Sequence, residues 1–153
     1  MGYDARLKEL GIELPEVTPP LASYVPVLVH GNTAFVSGQL PFIDGELVVG
    51  TLGKDVEKDR AVEAARACAL MILAQLRAEL GSLDRVAGIV KLGAFVASTD
   101  HFIEQHKVAD GASDLMAEIF GDDAKHARAA VGVPSLPLGA AVEVDAIVAL
   151  KEG

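Results

Sequence analysis

Two residues near the end of the chain are of types that could bind and activate a small carboxylate. Arg128 stands among alanines, and a guanidinium with small neighbours has room to hold a carboxylate through its planar fork. Glu143 lies in a run that alternates apolar and polar residues, on the side opposite the valines. A carboxylate in a partly apolar crevice can orient or deprotonate a water molecule. Together the two residue types could serve a hydrolytic reaction on a small carboxylate, which requires a fixed carboxylate and a directed water.

Each of these residues also has a simpler interpretation. An isolated arginine at the start of a strand is ordinarily a solvated surface residue. Asp145 follows Glu143 at a spacing of about 7 Å along a strand, which by itself is typical of a solvated face. However, Ile147 and Ala149 continue the same side of the run. This side is therefore partly apolar and could be covered by a neighbouring subunit.

Residues near the start of the chain could line the same pocket. Tyr24 could close a pocket with its ring or pack in the core with its hydroxyl satisfied. Ser37 could donate a hydrogen bond to a ligand or cap the end of a strand. Gly38 follows it, and the missing side chain would let a ligand approach the backbone N–H.

The histidines and the cysteine indicate little additional chemistry. His106 and Asp110 lie four residues apart on a predicted helix, but His101 diverges from them, so we expect no metal site. His126 nearly adjoins Arg128 and could approach a ligand there, although an exposed histidine is the simpler interpretation. Cys68 stands between alanines on a helical pattern, which favours packing in the core of a protein from a reducing compartment.

The elements that must position these residues can be predicted from periodicity and turn residues. A short leader helix and an extended linker occupy residues 1–20, and Gly11 ends the helix before Pro15, Pro19 and Pro20. Two β-rich runs, residues 24–30 and 33–37, flank Gly31-Asn32 and predict a tight hairpin. A second hairpin turns at Asp44-Gly45.

Helices and further strands follow. A long helix begins after Asp55, a plausible N-cap, and ends at Gly81, with an apolar stripe along it. A strand covers residues 85–97, a second helix residues 101–120, and two strands residues 128–133 and 141–150. This order predicts an α+β fold in which two helices cover one face of a mixed β-sheet, with residues 1–153 forming a single domain.

Composition limits the possible partners. Hydrophobic residues make up 51% of the 153 residues, so the domain has more apolar surface than a monomer easily hides, and we expect a homo-oligomer. The formal net charge is -9 and there is no basic run, which argues against nucleic acid as a ligand. The longest apolar stretch is too short for a bilayer, and the charged N-terminus lacks a signal-peptide core, so a cytoplasmic protein is expected.

Three segments together resemble the reactive-intermediate deaminase family, also called Rid or YjgF-like proteins and labelled the endoribonuclease L-PSP family. They are Ser37-Gly38-Gln39-Leu40-Pro41, Phe95-Val96 ahead of Asp100 and Phe102, and the region from Arg128 through Leu136-Pro137 to Ile147. The order and spacing of these motifs, with a long helix between the first two, make the combination specific. The resemblance covers residues 24–150.

The resemblance implies a chorismate-mutase-like fold and a homotrimer with clefts between subunits. It also implies hydrolysis of 2-imino acids, released as enamines by pyridoxal-phosphate enzymes, to 2-oxo acids and ammonia, with no metal or organic cofactor. Arg128 matches the family arginine that holds the substrate carboxylate, and Glu143 matches the glutamate near the reacting carbon. The remaining matches line the site: Tyr24, Ser37, Gly38 and Asp100.

The sequence also departs from the active branch of that family. His126 stands where proline is usual, Ala129 where serine is usual and Asp100 where asparagine is frequent. The N-terminal extension and an enlarged second-helix region around residues 111–114 are typical of a longer, less characterised branch. An alternative function is therefore a non-catalytic module that binds a small carboxylate or oxo acid in the same cleft. The ribonuclease label is disfavoured by the charge of -9.

Overall fold

The computed structural model of the chain describes residues 2–17 and 23–152, and its centre is a five-stranded mixed sheet. The strands of this sheet are β1 (Val27–His30), β2 (Thr33–Gln39), β5 (Val86–Ala97), β6 (Ala127–Val133) and β7 (Val142–Leu150). Their spatial order is β1-β2-β7-β5-β6. Strands β5 and β6 run parallel, and the other neighbours are antiparallel. A separate small hairpin consists of β3 (Phe42–Ile43) and β4 (Glu46–Leu47).

Three α-helices in the described residues accompany the sheet: α1 (Tyr3–Leu10), α2 (Lys58–Leu80) and α3 (Gln105–Phe120). Helices α2 and α3 pack against each other and against the strands on one face of the sheet. The predicted α+β architecture, a mixed sheet with two helices on one face, is confirmed.

Strand β7 shows how the sheet divides into two faces. Its valines, with Ala146 and Leu150, are buried against the helices, whereas Glu143, Asp145, Ile147 and Ala149 are only partly buried on the other side. This alternation agrees with the sequence prediction. The helix-covered face holds the hydrophobic core, and we call the opposite side the open face.

The leader helix is anchored to the body of the protein. Leu7 is buried, and the Tyr3 ring meets the Phe120 ring edge-on at 4.6 Å between centroids. The helix ends at Gly11, which adopts the left-handed conformation with φ 69°, as predicted. Pro15 belongs to the described segment, but Pro19 and Pro20 of the predicted linker lie outside the described residues.

Two predicted helix starts were wrong. Helix α3 begins at Gln105 rather than at residue 101, because the Gln105 side chain donates to the carbonyl of Phe102 and stabilises a non-helical turn ahead of the helix. Asp55 does not cap α2, whose N-cap position is Glu57. The Asp55 carboxylate instead accepts from the backbone N–H of Thr51 at 2.6 Å, which closes a loop before the helix.

The first hairpin is shorter than predicted. Its turn at Gly31 has a positive φ of 62°, as the Gly-Asn connection requires, but β1 begins at Val27. Tyr24 and Val25 lie before the strand, because Pro26 has no N–H to donate to a sheet. Tyr24 is therefore placed by a loop next to the open face.

Candidate functional site

A cavity of about 830 Å³ lies on the open face, bounded by the loop before β1 and by side chains of β2, β5, β6 and β7. We call it the open-face cleft. Its lining is largely apolar, with few polar groups, which is typical of a small-molecule site. The residues that matter below are Tyr24, Phe35, Ser37, Lys91, Asp145 and Ile147.

Glu143 and Asp145 lie side by side on the open face of β7, each against a glycine of a neighbouring strand. The space that a Cβ would occupy at Gly38 of β2 is taken by Oε2 of Glu143. The corresponding space at Gly93 of β5 is taken by Oδ1 of Asp145. Both carboxylates can therefore lie along the sheet rather than project into solvent, and the two glycines determine where they lie.

Burial makes both carboxylates easier to protonate than a solvated carboxylate. Desolvation is the main cause that raises the pKa of Glu143, and the charge of Asp145 adds to it. Desolvation also raises the pKa of Asp145, while a backbone hydrogen bond from Gly93 and the charge of Lys91 act in the opposite direction. A carboxylate with a raised pKa is a stronger base than a solvated one, which suits it to proton transfer.

The raised pKa of Glu143 predicts how stability depends on pH. The folded state holds the proton more tightly than the unfolded chain, so wild type loses stability as pH rises above the ordinary value of 4.5. Glu143→Gln removes this penalty. Its melting temperature should exceed that of wild type at pH 7, and the gap should close below pH 4.5. Thermal melts from pH 3.5 to 8 would measure it.

The exposed Glu79 on α2 offers a matched control. Glu79→Gln makes the same chemical change without removing a carboxylate from the sheet, and should leave the pH profile of stability close to wild type. A destabilised Glu143→Gln protein at pH 7, or an equal stabilisation by Glu79→Gln, would contradict the proposed cause.

Ser37 and Tyr24 are held at the rim of the open-face cleft by the same local structure. The Ser37 hydroxyl donates to the carbonyl of Val25 at 2.8 Å, and the Ser37 N–H donates to the carbonyl of Pro26 at 2.9 Å. The pairing of β2 with β7 is irregular at this point, which indicates a bulge. Tyr24 is 64% exposed beside it. The Ser37 hydroxyl thus fixes the position of the loop that carries Tyr24. Because it only donates in this contact, its oxygen can still accept a hydrogen bond from a ligand.

Arg128 faces the opposite side of the sheet. It stands beside Leu92 of β5, which is buried under the helices, so its side chain is directed towards α3. Its Nη1 donates to Asp110 Oδ1 at 2.8 Å and to Ser113 Oγ at 3.1 Å, and its Nη2 donates to the carbonyl of His106 at 3.1 Å. These contacts leave Nε–H and one Nη2 hydrogen available, and the side chain is 24% exposed.

His126 extends this polar cluster. Its Nε2 lies 2.9 Å from Ser113 Oγ, and its Nδ1 contacts the carbonyl of Ala124. Because the carbonyl can only accept, Nδ1 carries the hydrogen, and the Ser113 hydroxyl can donate to Nε2 while it accepts from Arg128. His126 therefore helps, through the Ser113 hydroxyl, to hold Arg128 in place.

Asp100 lies apart from both groups. Its side chain is 92% exposed in the turn before α3. It borders a separate depression with Ser98, Gly132 and Pro134. The chain thus brings Tyr24, Ser37, Gly38 and Glu143 to one region of the open face, and it places Arg128 and Asp100 elsewhere.

Lys91 and Phe35 of the open-face cleft were not identified from the sequence as site residues. Both lie on strands, where a single lysine or phenylalanine is ordinarily a surface or core residue. No sequence signal marked them, because the pairing of their strands with β7 brings them to the cleft and the sequence does not specify that pairing. Asp145 was weighed with Glu143, but its spacing favoured a solvated face; in the structure it lines the cleft.

The remaining chemistry-bearing residues have structural roles. Cys68 is fully buried in α2, and its burial raises the pKa of the thiol, in agreement with the predicted packing role. Asp110, which was weighed with His106 as a metal ligand, is paired with Arg128. Residues 2–17 and 23–152 contain no cluster of three or more His, Cys, Asp or Glu side chains able to hold a metal. None of their helices is long and apolar enough to cross a membrane.

Comparison with known proteins identifies relatives over nearly the whole chain. Residues 4–150 match the family described as "YjgF/chorismate mutase-like, putative endoribonuclease". Protein TCP17 of Trypanosoma cruzi is 50% identical over 149 residues, covering 96% of this chain and 93% of that protein. The 2-iminobutanoate/2-iminopropanoate deaminase of Dermatophagoides farinae is 27% identical over 142 residues, or 92% and 95% of the two chains. Atu1372 of Agrobacterium tumefaciens, a crystallised protein of unknown function, is 48% identical with a TM-score of 0.89, covering 97% and 92%.

Proposed function

Since the chain belongs to the YjgF/chorismate mutase-like family, we propose that it hydrolyses small 2-imino acids, or the enamines that tautomerise to them, to 2-oxo acids and ammonia. The name of the mite relative supports this proposal, because that protein is called a deaminase of 2-iminobutanoate and 2-iminopropanoate. The setting we propose is the cytoplasm, where a single unpaired cysteine stays reduced.

The observation that carries the proposal is the Glu143 carboxylate in its notch at Gly38, on a largely apolar open face. Burial raises the pKa of Glu143, so this group is a stronger base than a solvated glutamate and can accept a proton from water and return it. A solvated glutamate would be a weaker base with no defined position.

The reaction follows from this arrangement. Glu143 removes a proton from a water molecule while the water oxygen attacks C2 of the protonated imine. The C=N electron pair moves to nitrogen, which gives a 2-amino-2-hydroxy acid. Glu143 then returns its proton to the nitrogen, the C–N bond breaks, ammonia leaves, and loss of the hydroxyl proton gives the 2-oxo acid. The charge of Asp145, two residues along the same face of β7, helps to keep the pKa of Glu143 raised.

We propose that Arg128 holds the substrate carboxylate through its remaining Nε–H and Nη2–H donors. Arg128 and Glu143 of one protomer lie on opposite faces of the sheet, so a joint site needs two subunits. Strand β6, which carries Arg128, is an edge strand of the sheet. The open face also exposes Leu28 at 58% and Phe35 at 43%, an apolar surface suited to burial in an interface. The proposed assembly is a homotrimer with sites between neighbouring subunits.

The test is to generate 2-iminopropanoate in situ with a serine dehydratase and 2-iminobutanoate with a threonine dehydratase. Release of ammonia and oxo acid is followed with and without the protein, and light scattering at micromolar concentration gives the mass. We expect faster hydrolysis and a trimer. A protein inactive on both imines that still binds the corresponding oxo acids would favour the binding module over the enzyme. A monodisperse monomer would remove the shared site.

A further inference from the structure

Lys91 reaches the open face because strand β5 contains a bulge. Ile89 is opposite Val148 and Lys91 is opposite Ile147, so two steps along β5 correspond to one step along β7. Ile89 is buried under the helices. Regular alternation from Ile89 would direct residue 91 into the core, but the extra residue, Val90, turns Lys91 to the open side. A bulge that re-aims one charged side chain is typical of sites with a specific role.

Lys91 is the cationic side chain of the open-face cleft. Among the described lining residues it alone carries a positive charge. In residues 2–17 and 23–152 no carboxylate forms an ion pair with it, although its field acts on Asp145. The whole chain has a net charge of -9, so an anionic ligand would be repelled from this surface without a local positive group.

The charges on the open face match those of the proposed substrate. A protonated 2-imino acid is a small zwitterion with a carboxylate at one end and an iminium next to it. The open face presents Lys91 at one end, then Asp145, then Glu143, as side chains of successive cross-strand rows. Lys91 and Glu143 lie roughly 14 Å apart along the strand direction, with Asp145 in the row between them.

We infer that Lys91 is a second carboxylate-binding residue, whose ammonium group contacts the substrate carboxylate in the open-face cleft while the iminium lies towards Asp145 and Glu143. This inference rests on the proposed function and adds a specificity determinant to it. A lysine contacts a carboxylate as a point charge, and each carboxylate oxygen can accept two hydrogen bonds, so the ammonium group can share an oxygen with the fork of Arg128. The pair selects ligands with an ionised carboxylate next to the reacting carbon.

The test compares Lys91→Met and Lys91→Arg with wild type in calorimetric titrations of pyruvate and of its uncharged amide, pyruvamide. Lys91→Met should weaken pyruvate binding about tenfold, because a charge-assisted hydrogen bond is lost. Lys91→Arg should restore most of it, and pyruvamide should bind all three proteins alike. In the imine assay, Lys91→Met should raise KM by a similar factor with kcat within about threefold of wild type.

Lys54 is an exposed lysine in a different depression and serves as the control, since Lys54→Met removes the same charge from the protein. The inference is overturned if Lys91→Met binds pyruvate as wild type does, if pyruvate and pyruvamide weaken equally, if Lys54→Met has the same effect, or if wild type does not bind pyruvate. Absence of turnover in wild type would contradict the proposed enzymatic function but not the role of Lys91 in binding, because the titrations of pyruvate and pyruvamide do not depend on catalysis.

Discussion

Replacement of Glu143 by glutamine is expected to lower the turnover of a 2-imino acid by about two orders of magnitude or more. Glutamine keeps the size and polarity of the side chain in the notch at Gly38, but it cannot take a proton from water. Binding of a 2-oxo acid should largely persist, because Glu143 lies away from the groups proposed to hold the carboxylate. Single-turnover rates and oxo-acid titrations of the same preparation measure the two effects separately.

Asp145→Asn is the matched variant for this experiment. It removes the neighbouring carboxylate from the same face and the same strand, next to Gly93 rather than Gly38. If Glu143 is the base, Asp145→Asn should reduce turnover much less than Glu143→Gln. The reverse order would transfer the catalytic role to Asp145, and unchanged turnover in both variants would exclude the mechanism.

Replacement of Arg128 by lysine is expected to cost on the order of 1.5 to 3 kcal/mol of carboxylate binding. Lysine keeps the charge but loses the fork, so it cannot contact a ligand carboxylate through two parallel hydrogen bonds. It also cannot reproduce the contacts to Asp110, Ser113 and the carbonyl of His106 together. The affinity for pyruvate and the melting temperature should therefore be measured on the same protein.

Asp110→Asn and Ser113→Ala separate the two roles of Arg128. Each removes one contact between the guanidinium and α3, while residue 128 remains an arginine with its fork intact. If Arg128 binds the ligand, these variants should lose much less pyruvate affinity than Arg128→Lys at comparable loss of stability. If the loss of pyruvate affinity in all three variants only follows their decrease in melting temperature, Arg128 is a structural link between α3 and β6 and not a ligand residue.

Most of the fold could be predicted because its signals are local. The alternation of β7 and the apolar stripe of α2 arise from side chains a few residues apart, and the turns at Gly31 and Gly45 need residues that tolerate a positive φ. The two wrong helix starts lie where a side chain makes a hydrogen bond to the backbone of the preceding turn, at Asp55 and at Gln105. The spacing of apolar residues carries no information about such a hydrogen bond, so it does not predict the boundary.

The candidate site could be predicted only in part. The types of Arg128 and Glu143 identified them as residues with possible chemistry, and the glycine at position 38 indicated a close approach. The partner in that approach, the Glu143 carboxylate, depends on the pairing of β2 with β7. Strands 2 and 7 are about a hundred residues apart in the chain, and their register is set by the packed sheet as a whole.

The sequence by itself determined the α+β class, the helices and strands and the residue types available for chemistry, because each depends on local periodicity or on the side chain alone. Only the tertiary structure decided which of these residues share a surface. Arg128 and Glu143 lie on opposite faces because of the register of β6 and β7 against β5. Lys91 lies beside Asp145 because one extra residue in β5 reverses the alternation. In a sheet, a shift of a single residue moves a side chain from one face to the other, and that shift is determined by pairing between distant strands.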